Sequence, residues 1–338
     1  KPLKLLLNYF ENRKQAVVLE NESSDLLNVT AGCAQGSILG PTIFLIYIND
    51  LLNLNLNGRL RLFADDGSIT YSAYDFQSLY KQMKHDIEVI SSFLADINLQ
   101  LSEKKTKFIL FNVKPSEVAF SSITANGLTI DKVDSYVYLG VPFQQNLSWN
   151  LHVKAITKSI SPFISVLSKI RYFVSKQILT SLYYAYIHSK LVYCLPVWQS
   201  ATTNLMNQLC RFQNKALKVI HFLPPLTPSS SLYSGKLLNF NKTIEYENIL
   251  FIYKVHSGMP KCDFSLQVNY TFTNRQTRNA NMIRTPHYLK TKSQNFVFFK
   301  GVMQFNAFLL YLKSIKAELS TLSLNNDKQY LQYMEHQL

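Results

Sequence analysis

The segment LRLFADDGSITYS, Leu60–Ser72, sets two carboxylates side by side, Asp65 and Asp66, between runs that alternate like short β-strands. Acidic residues are scarce in this chain, 21 against 35 basic ones, so the pairing invites a chemical reading. A hard divalent cation such as Mg²⁺ takes oxygen ligands, typically one or two carboxylates completed by water and substrate phosphates. Ions held in this way activate an attacking hydroxyl and stabilise the leaving oxygen of a phosphoryl transfer. Successive side chains of a strand point to opposite faces, so adjacent Asp residues can share an ion only from a turn, for which Gly67 supplies flexibility. Asp and Gly also favour turns for backbone reasons alone. A solvated turn is therefore the competing reading of the same residues.

The elements that must hold this pair can be read from periodicity and punctuation. Residues 1–10 read as the end of a helix and 15–20 as a strand, and 25–37 carry a second strand into a Gly-containing bend. Residues 38–55 have helical length, with Pro41 placed early, where a missing N–H costs least. After the paired Asp, the apolar residues Leu79, Met83, Ile87, Ile90, Phe93, Leu94 and Ile97 recur at steps of three and four, one face of an amphipathic helix over 78–98. Residues 107–111 read as a strand, 123–130 as a hairpin turned at Asn126-Gly127, and 136–141 as another strand. This order describes an α+β domain ending near residue 145. Beyond it helical spacing dominates: 153–170, which Pro162 should kink or split, then 176–193 and 203–222. Residues 222–231 are Pro/Ser-rich and read as a linker to a helical, more polar C-terminal piece.

Composition narrows the class. With 338 residues and 47% hydrophobic content the chain is a folded globular protein of two or three domains. The net charge of +14 suits a polyanionic partner, nucleic acid before an anionic membrane surface. Cys33, Cys194, Cys210 and Cys262 are scattered, without the spacing of a zinc site or a disulfide framework, which points to a reducing compartment. The longest apolar stretch, Ile38–Ile48, is too short to span a bilayer and no signal peptide opens the chain, so an intracellular site, nucleus or cytoplasm, is expected, with no membrane partner. A first residue of Lys rather than Met suggests a piece of a longer reading frame. The seven histidines show no ligand spacing.

Taken in order, AGCAQGSILGP (31–41), FADD (63–66), INLQLSEKKTKFILF (97–111) and YVYLGV (136–141) form a succession. It resembles the palm of reverse transcriptases from non-LTR (LINE-type, Jockey-like) retrotransposons. LTSLYYAYIHSKLVYCLPVWQSA followed by LCRFQNKALKVI continues the likeness, and GVMQFNAFLLYLKSI (301–315) resembles the family's C-terminal pattern with Phe where Trp is usual. The resemblance implies an α+β fold in three parts. These are a partial palm, an antiparallel sheet with packed helices, over 1–145, an all-helical thumb over 146–224, and a mostly helical C-terminal region over 225–338. It implies an RNA-directed DNA polymerase, a nucleotidyltransferase that extends a primer 3′-hydroxyl with Mg²⁺ (two ions in the complete enzyme, Mn²⁺ as a substitute). RNA template, DNA primer and deoxynucleoside triphosphates would be its partners.

Residue by residue, the resemblance makes Asp65 the metal-binding carboxylate and Asp66 its supporting neighbour, with small Ala64 leaving room for the primer end. Gln35, Gly36 and Ser37 match the motif that lies against incoming nucleotide and template. Lys105 matches a lysine that protonates the leaving pyrophosphate, and Tyr138, Leu139 and Gly140 match the hairpin that grips the primer. The residues alone permit blander readings: Lys105 in a solvated basic run with Lys104 and Lys107, Tyr138 as packing on a strand, Gln35–Ser37 as a turn. Cys33-Ala34 stands where the family usually has Val-Pro, Gly67 where Thr is usual, and Ser102 where Asn is commoner. The family's palm draws a further carboxylate from a strand N-terminal to these motifs. That segment, with the fingers, is expected in an upstream part of the same polyprotein, so this chain by itself is expected not to polymerise DNA.

On the helix 203–222, Arg211, Lys215 and Lys218 share one face, and Lys154 and Lys158 pair on the preceding basic helix. In the family this region is the thumb, whose cations meet duplex phosphates, with a salt-dependent affinity. Tyr183, Tyr184, Tyr186, Tyr193 and Trp198 read as core at helical spacing, and 274–292 as a basic polar segment that contacts RNA or is simply exposed. A second hypothesis is a non-catalytic nucleic-acid-binding relic of a decayed retroelement. A third, a structural protein with a chance Asp pair, leaves the ordered motifs unexplained.

Overall fold

A computed structural model describes residues 2–20, 22–34, 36–111, 120–233, 238–257 and 297–316. The fold is α+β, and the chain divides into two compact units, Lys1–Asp134 and Ser135–Leu338.

The first unit opens with helix α1 (Pro2–Phe10) and two small antiparallel ladders, β1 (Lys14–Gln15) with β4 (Leu27–Asn28) and β2 (Val18–Leu19) with β3 (Glu22–Ser23). Helix α2 (Gly40–Ile48) begins with Pro41 in its first turn, as expected, and tightens into a 3₁₀ turn over Asn49–Asn53. Strands β5 (Arg59–Phe63) and β6 (Asp66–Thr70) form a hairpin, followed by helix α3 (Phe76–Asp96), whose first turn is capped by the Asp75 carboxylate accepting from the Ser78 amide at 2.7 Å. Strand β7 (Lys107–Phe108) runs parallel to β9 (Leu128–Lys132), which pairs in turn with β8 (Ser122–Ala125) across Asn126-Gly127. Both turn residues have positive φ, 48° and 75°, the backbone that this dipeptide signals.

The apolar stripe on α3 serves two cores at once. Met83 and Ile87 pack against Phe108, Leu110, Ile123 and Ile130 of the three-stranded sheet. One and two turns further on, Ile90 and Leu94 pack against Ile48 and Leu51, with Leu60, Leu62 and Ile69 of the hairpin beside them. The 3.6-residue period thus fixes the hairpin on one end of the helix and the sheet on the other.

The second unit opens with a hairpin, β10 (Ser135–Tyr138) and β11 (Val141–Gln144), where periodicity suggests one strand and the resemblance a hairpin at Tyr138–Gly140. Its turn is Leu139-Gly140, both at positive φ (47° and 77°), and the Leu hides this signal in the sequence. Helix α4 (Asn150–Ile170) runs through Pro162 without the expected break. Pro162 and Lys158 lie on the exposed side, where water can satisfy the carbonyl that loses its N–H partner. The predicted helix 176–193 is α5 (Lys176–Tyr183), one π turn (Tyr184–His188) and α6 (Ser189–Val192). After α7 (Leu195–Trp198) comes α8 (Thr203–Ile220), packed on α4. The Pro/Ser-rich stretch 222–231 that reads as a linker is largely exposed, and Leu232 directly after it is fully buried in the core of this unit. Helix α9 (Phe240–His256) packs against α10 (Val297–Lys316), with Ile249, Ile252, Val302, Phe305 and Phe308 between them. A buried amide ladder ties this pair to α7: Gln199 and Asn248 exchange hydrogen bonds, and the Asn248 amide also donates to Gln304 at 2.8 Å. The basic segment 274–292 lies outside the described residues.

Candidate functional site

Asp65 occupies the tip of the β5–β6 hairpin, in a two-residue turn, Ala64-Asp65, closed by the pair Phe63–Asp66. Both carboxylates are exposed. The bend between them resolves the strand problem, because Asp65 belongs to the turn and Asp66 to the first pleat of β6. Ala64, rather than Gly67, takes the left-handed backbone that makes the turn, with φ 53°. Gly67 lies within β6 opposite Leu62, where an added Cβ would meet Leu62 Cδ2 at 3.4 Å. The flexibility ascribed to Gly67 is thus corrected to a constraint carried by Ala64.

The hairpin alternates. Leu60, Leu62 and Ile69 turn toward α2 and α3, while Arg59, Arg61 and Phe63 on β5 share the opposite face with Asp66 and Thr70 on β6. The Arg61 guanidinium donates to the Thr70 hydroxyl at 3.3 Å. Two cations therefore share one outward face with Asp66, which suits phosphate groups.

A buried carboxylate anchors the base of this hairpin. Asp86 on α3 is fully buried and accepts from the amides of Asn57 and Gly58 (3.0 and 2.9 Å) and from the Asn57 side chain (2.8 Å). Burial pushes the Asp86 carboxyl up, but the Asn57 and Gly58 amides and the His85 and Asn57 side chains outweigh it and hold it below its ordinary value. Burial, then the Asp86 charge, holds the neighbouring Tyr71 phenol protonated well above its usual range. Gly58 has no room for a side chain: a Cβ there would lie 2.4 Å from Ile69 Cγ2.

Gly36 has φ 80°, and Ser37 Oγ accepts from the Leu39 amide at 3.2 Å at the entry to α2; Gln35 lies outside the described residues. Lys105 is exposed on a turn in which the amides of Lys105 and Thr106 both donate to the Ser102 carbonyl. Among the described residues no group of three or more His, Cys, Asp or Glu is placed to hold a metal. Asp65 and Asp66 offer the oxygen donors a hard divalent cation prefers, and by number they fit an ion completed by water and substrate phosphates.

In the second unit, the Leu139-Gly140 turn that follows Tyr138 is braced from outside. The Tyr193 hydroxyl donates to the Leu139 carbonyl at 2.7 Å, and its ring lies 3.6 Å from where a Gly140 Cβ would stand. Tyr183 and Trp198 are core, as expected, whereas Tyr184, Tyr186 and Tyr193 are exposed. Tyr186 stacks on Phe163 at 4.7 Å, with the Lys190 ammonium over the Phe163 ring at 4.5 Å. Lys154, Lys158, Arg211 and Lys215 are exposed on the packed helices α4 and α8. Lys218 is half-buried and donates to the Pro225 carbonyl, so it fastens the segment after α8.

Residues 3–143 match the family model described as reverse transcriptase (RNA-dependent DNA polymerase). The probable RNA-directed DNA polymerase from transposon BS of Drosophila melanogaster is 23% identical over 239 residues, 68% of this chain and 26% of that protein. The RNA-directed DNA polymerase from mobile element jockey of Drosophila funebris is 22% identical over 65% of this chain and 25% of its own length. The chain is related to the reverse transcriptases of non-LTR retrotransposons. A Retrovirus-related Pol polyprotein from type-1 retrotransposable element R1 of Nasonia vitripennis is 24% identical over 41% of the chain. The chain spans about a quarter of the length of the first two of these reverse-transcriptase relatives. No solved structure matches it. The reverse-transcriptase match runs from α1 to β11 and so takes in the Asp turn and the Leu139-Gly140 turn.

Within this reverse-transcriptase region, sequence reasoning missed Asp86, Arg59 and Arg61. Asp86 falls on the apolar side of α3 next to Ile87, a position whose polarity was itself the signal. Arg59 and Arg61 alternate with Leu60 and Leu62, and this alternation placed them on one face with Phe63. No helix among the described residues is long and apolar enough to cross a membrane.

Proposed function

We propose that the chain is the palm and thumb portion of a retrotransposon RNA-directed DNA polymerase, with the first unit presenting catalytic carboxylates and the second gripping a template–primer duplex. The observation that carries this reading is the exposed Asp65-Asp66 turn, fixed at the tip of a hairpin inside the region that matches reverse transcriptases. The reaction joins a primer 3′-hydroxyl oxygen to the α-phosphorus of a deoxynucleoside triphosphate and breaks the bond to the β-phosphate, releasing pyrophosphate. Asp65 and Asp66 would hold Mg²⁺, which when bound supplies charge neutralisation and a more acidic 3′-hydroxyl. Arg59 and Arg61, on the same face as Asp66, would orient the triphosphate, and Lys105 would give a proton to the departing pyrophosphate. Tyr138–Gly140 would seat the primer end, held by Tyr193. Lys154, Lys158, Arg211 and Lys215 would meet backbone phosphates.

The family resemblance calls for a further carboxylate beside these two, and on that reading polymerisation by this chain alone is not expected. The second reading, a nucleic-acid-binding relic without catalysis, draws on the same turn, since among the described residues no third His, Cys, Asp or Glu joins the two exposed carboxylates. The two readings part in a primer-extension assay on RNA template with the chain embedded in its longer polypeptide. The enzyme reading requires Mg²⁺-dependent extension that Asp65→Ala abolishes, and no extension in any divalent cation leaves the relic. Duplex binding should survive Asp65→Ala and weaken steeply with salt. A salt-independent affinity would overturn the thumb assignment.

A further inference from the structure

We propose that the end of the helical unit where α4 stops, α5 starts and α8 exits is a stacking platform for unpaired nucleotides of a single-stranded nucleic acid. Three aromatic rings stand in solvent there: Tyr172 is 70%, Phe173 86% and Phe222 47% exposed. Two of them, Tyr172 and Phe222, are organised around a cation. The Arg171 guanidinium lies 4.6 Å from the Tyr172 ring and 6.0 Å from that of Phe222, and the two rings are 5.9 Å apart at 58°. Arg171 also donates to the Tyr172 hydroxyl, and its Nε is buried without a partner.

The backbone holds Phe222 outward at a conformational cost. The Phe222 amide donates to the Val219 carbonyl and the Leu223 amide to that of Lys218, the paired bonds that end a helix in a left-handed residue. Glycine ordinarily fills that position. Here Phe222 does, at φ 57°. Lys218 donates to the Pro225 carbonyl and so ties the segment after Phe222 back to α8.

The helices around the patch carry exposed cations. Lys169 and Lys176 are exposed on the helices that frame the patch, and Lys176 lies near enough to His221 to help lower its pKa, after burial. No Asp or Glu occurs in the sequence between Asp134 and Glu245. Rings for bases beside cations for phosphates are the two components of sequence-tolerant single-strand binding. Exposed aromatics among lysines would also suit an anionic bilayer surface. The choice of nucleic acid rests on the proposed function, and the experiment separates the two.

The full chain is titrated with a labelled, unstructured single-stranded RNA of about 20 nucleotides, longer than the ~4–16 that such surfaces engage. Parallel titrations use an RNA–DNA duplex of equal length and phosphatidylserine vesicles. Tyr172→Ala with Phe173→Ala should weaken single-strand binding about tenfold or more, and duplex binding by less than about twofold. Phe222→Gly supplies the decisive contrast. It should leave the melting temperature unchanged or raised, because glycine suits the left-handed position, and yet lower single-strand affinity. Unchanged single-strand affinity in both variants, an equal loss for strand and duplex, or vesicle binding that depends on these rings while RNA binding does not would each overturn the platform. A wild-type chain that binds the single strand but not the duplex would overturn the thumb assignment and support the platform.

Discussion

His152 sits inside α4 with its ring edge against Trp198, 5.0 Å away at 65°, and neither ring nitrogen has a partner. Burial lowers its pKa from 6.5 to about 4. The unfolded chain therefore binds a proton that the folded chain refuses, and stability falls as pH drops from about 6.5 toward 4. The penalty reaches on the order of 3 kcal/mol below that window. His152→Leu, close in volume, removes both the titration and the unpaired nitrogens. Its gain in melting temperature should be larger at pH 5 than at pH 7.5, and equal gains at the two values would refute the buried-neutral assignment. Asp86 carries the opposite sign. Its folded pKa lies below the ordinary carboxylate value, so its stabilisation is present above about 4 and is lost as pH falls through the folded pKa. Asp86→Ala strands the Asn57 and Gly58 amides beneath the hairpin and should cost about 3 kcal/mol at neutral pH, measured by denaturant titration.

The hairpin bearing the Asp pair is over-determined from its base and strained at its tip, and each end makes a prediction. Gly58→Ala forces a methyl group against Ile69 and should cost about 1–3 kcal/mol in chemical denaturation. Ala64→Val puts a β-branched side chain at φ 53° and should fray the turn, seen as faster amide exchange confined to Phe63–Gly67 while α3 stays protected. If exchange rose equally in α3, the turn would be coupled to the whole unit rather than stored locally. The elements most legible in the sequence are those where one local rule suffices: the stripe from Met83 to Leu94, the Asn126-Gly127 turn, Pro41 in the first turn of α2. What escaped needs tertiary knowledge. Leu139 at positive φ reads as an ordinary strand residue until Gly140 and Tyr193 are seen beside it. Pro162 reads as a breaker until its face proves exposed. Asp65 and Asp66 were legible as residues, but the turn that aims them depends on Ala64, whose type announces nothing.

The two units are built on unequal cores, and this shapes how the molecule as a whole should come apart. In the second unit Trp149, Tyr183, Trp198 and Phe240 lie in one continuous cluster with the faces of α4 and α8. In the first unit the core is divided into two smaller clusters, bridged by α3 and by Leu101, which packs against both. Among the described residues before Pro41 no side chain is buried, although Leu3, Leu5, Leu7, Val17, Val18, Leu19, Leu26, Leu27 and Ile38 are all there and all exposed. So much apolar surface is more than a lone soluble chain usually presents, which suits contact with a covering partner surface. For the chain by itself the consequence is energetic. Local unfolding of the first 34 residues exposes little that is not already in water, so its free energy should be near zero. Limited proteolysis should therefore remove this segment first, then cut within the remainder of the first unit, and leave a resistant fragment that begins near Ser135. The second unit should melt in a separate, later transition. If digestion instead released the second unit's helices while residues 1–34 stayed intact, burial would not be ranking local stability here. The dependence of the first unit on outside contacts would then lose its physical basis.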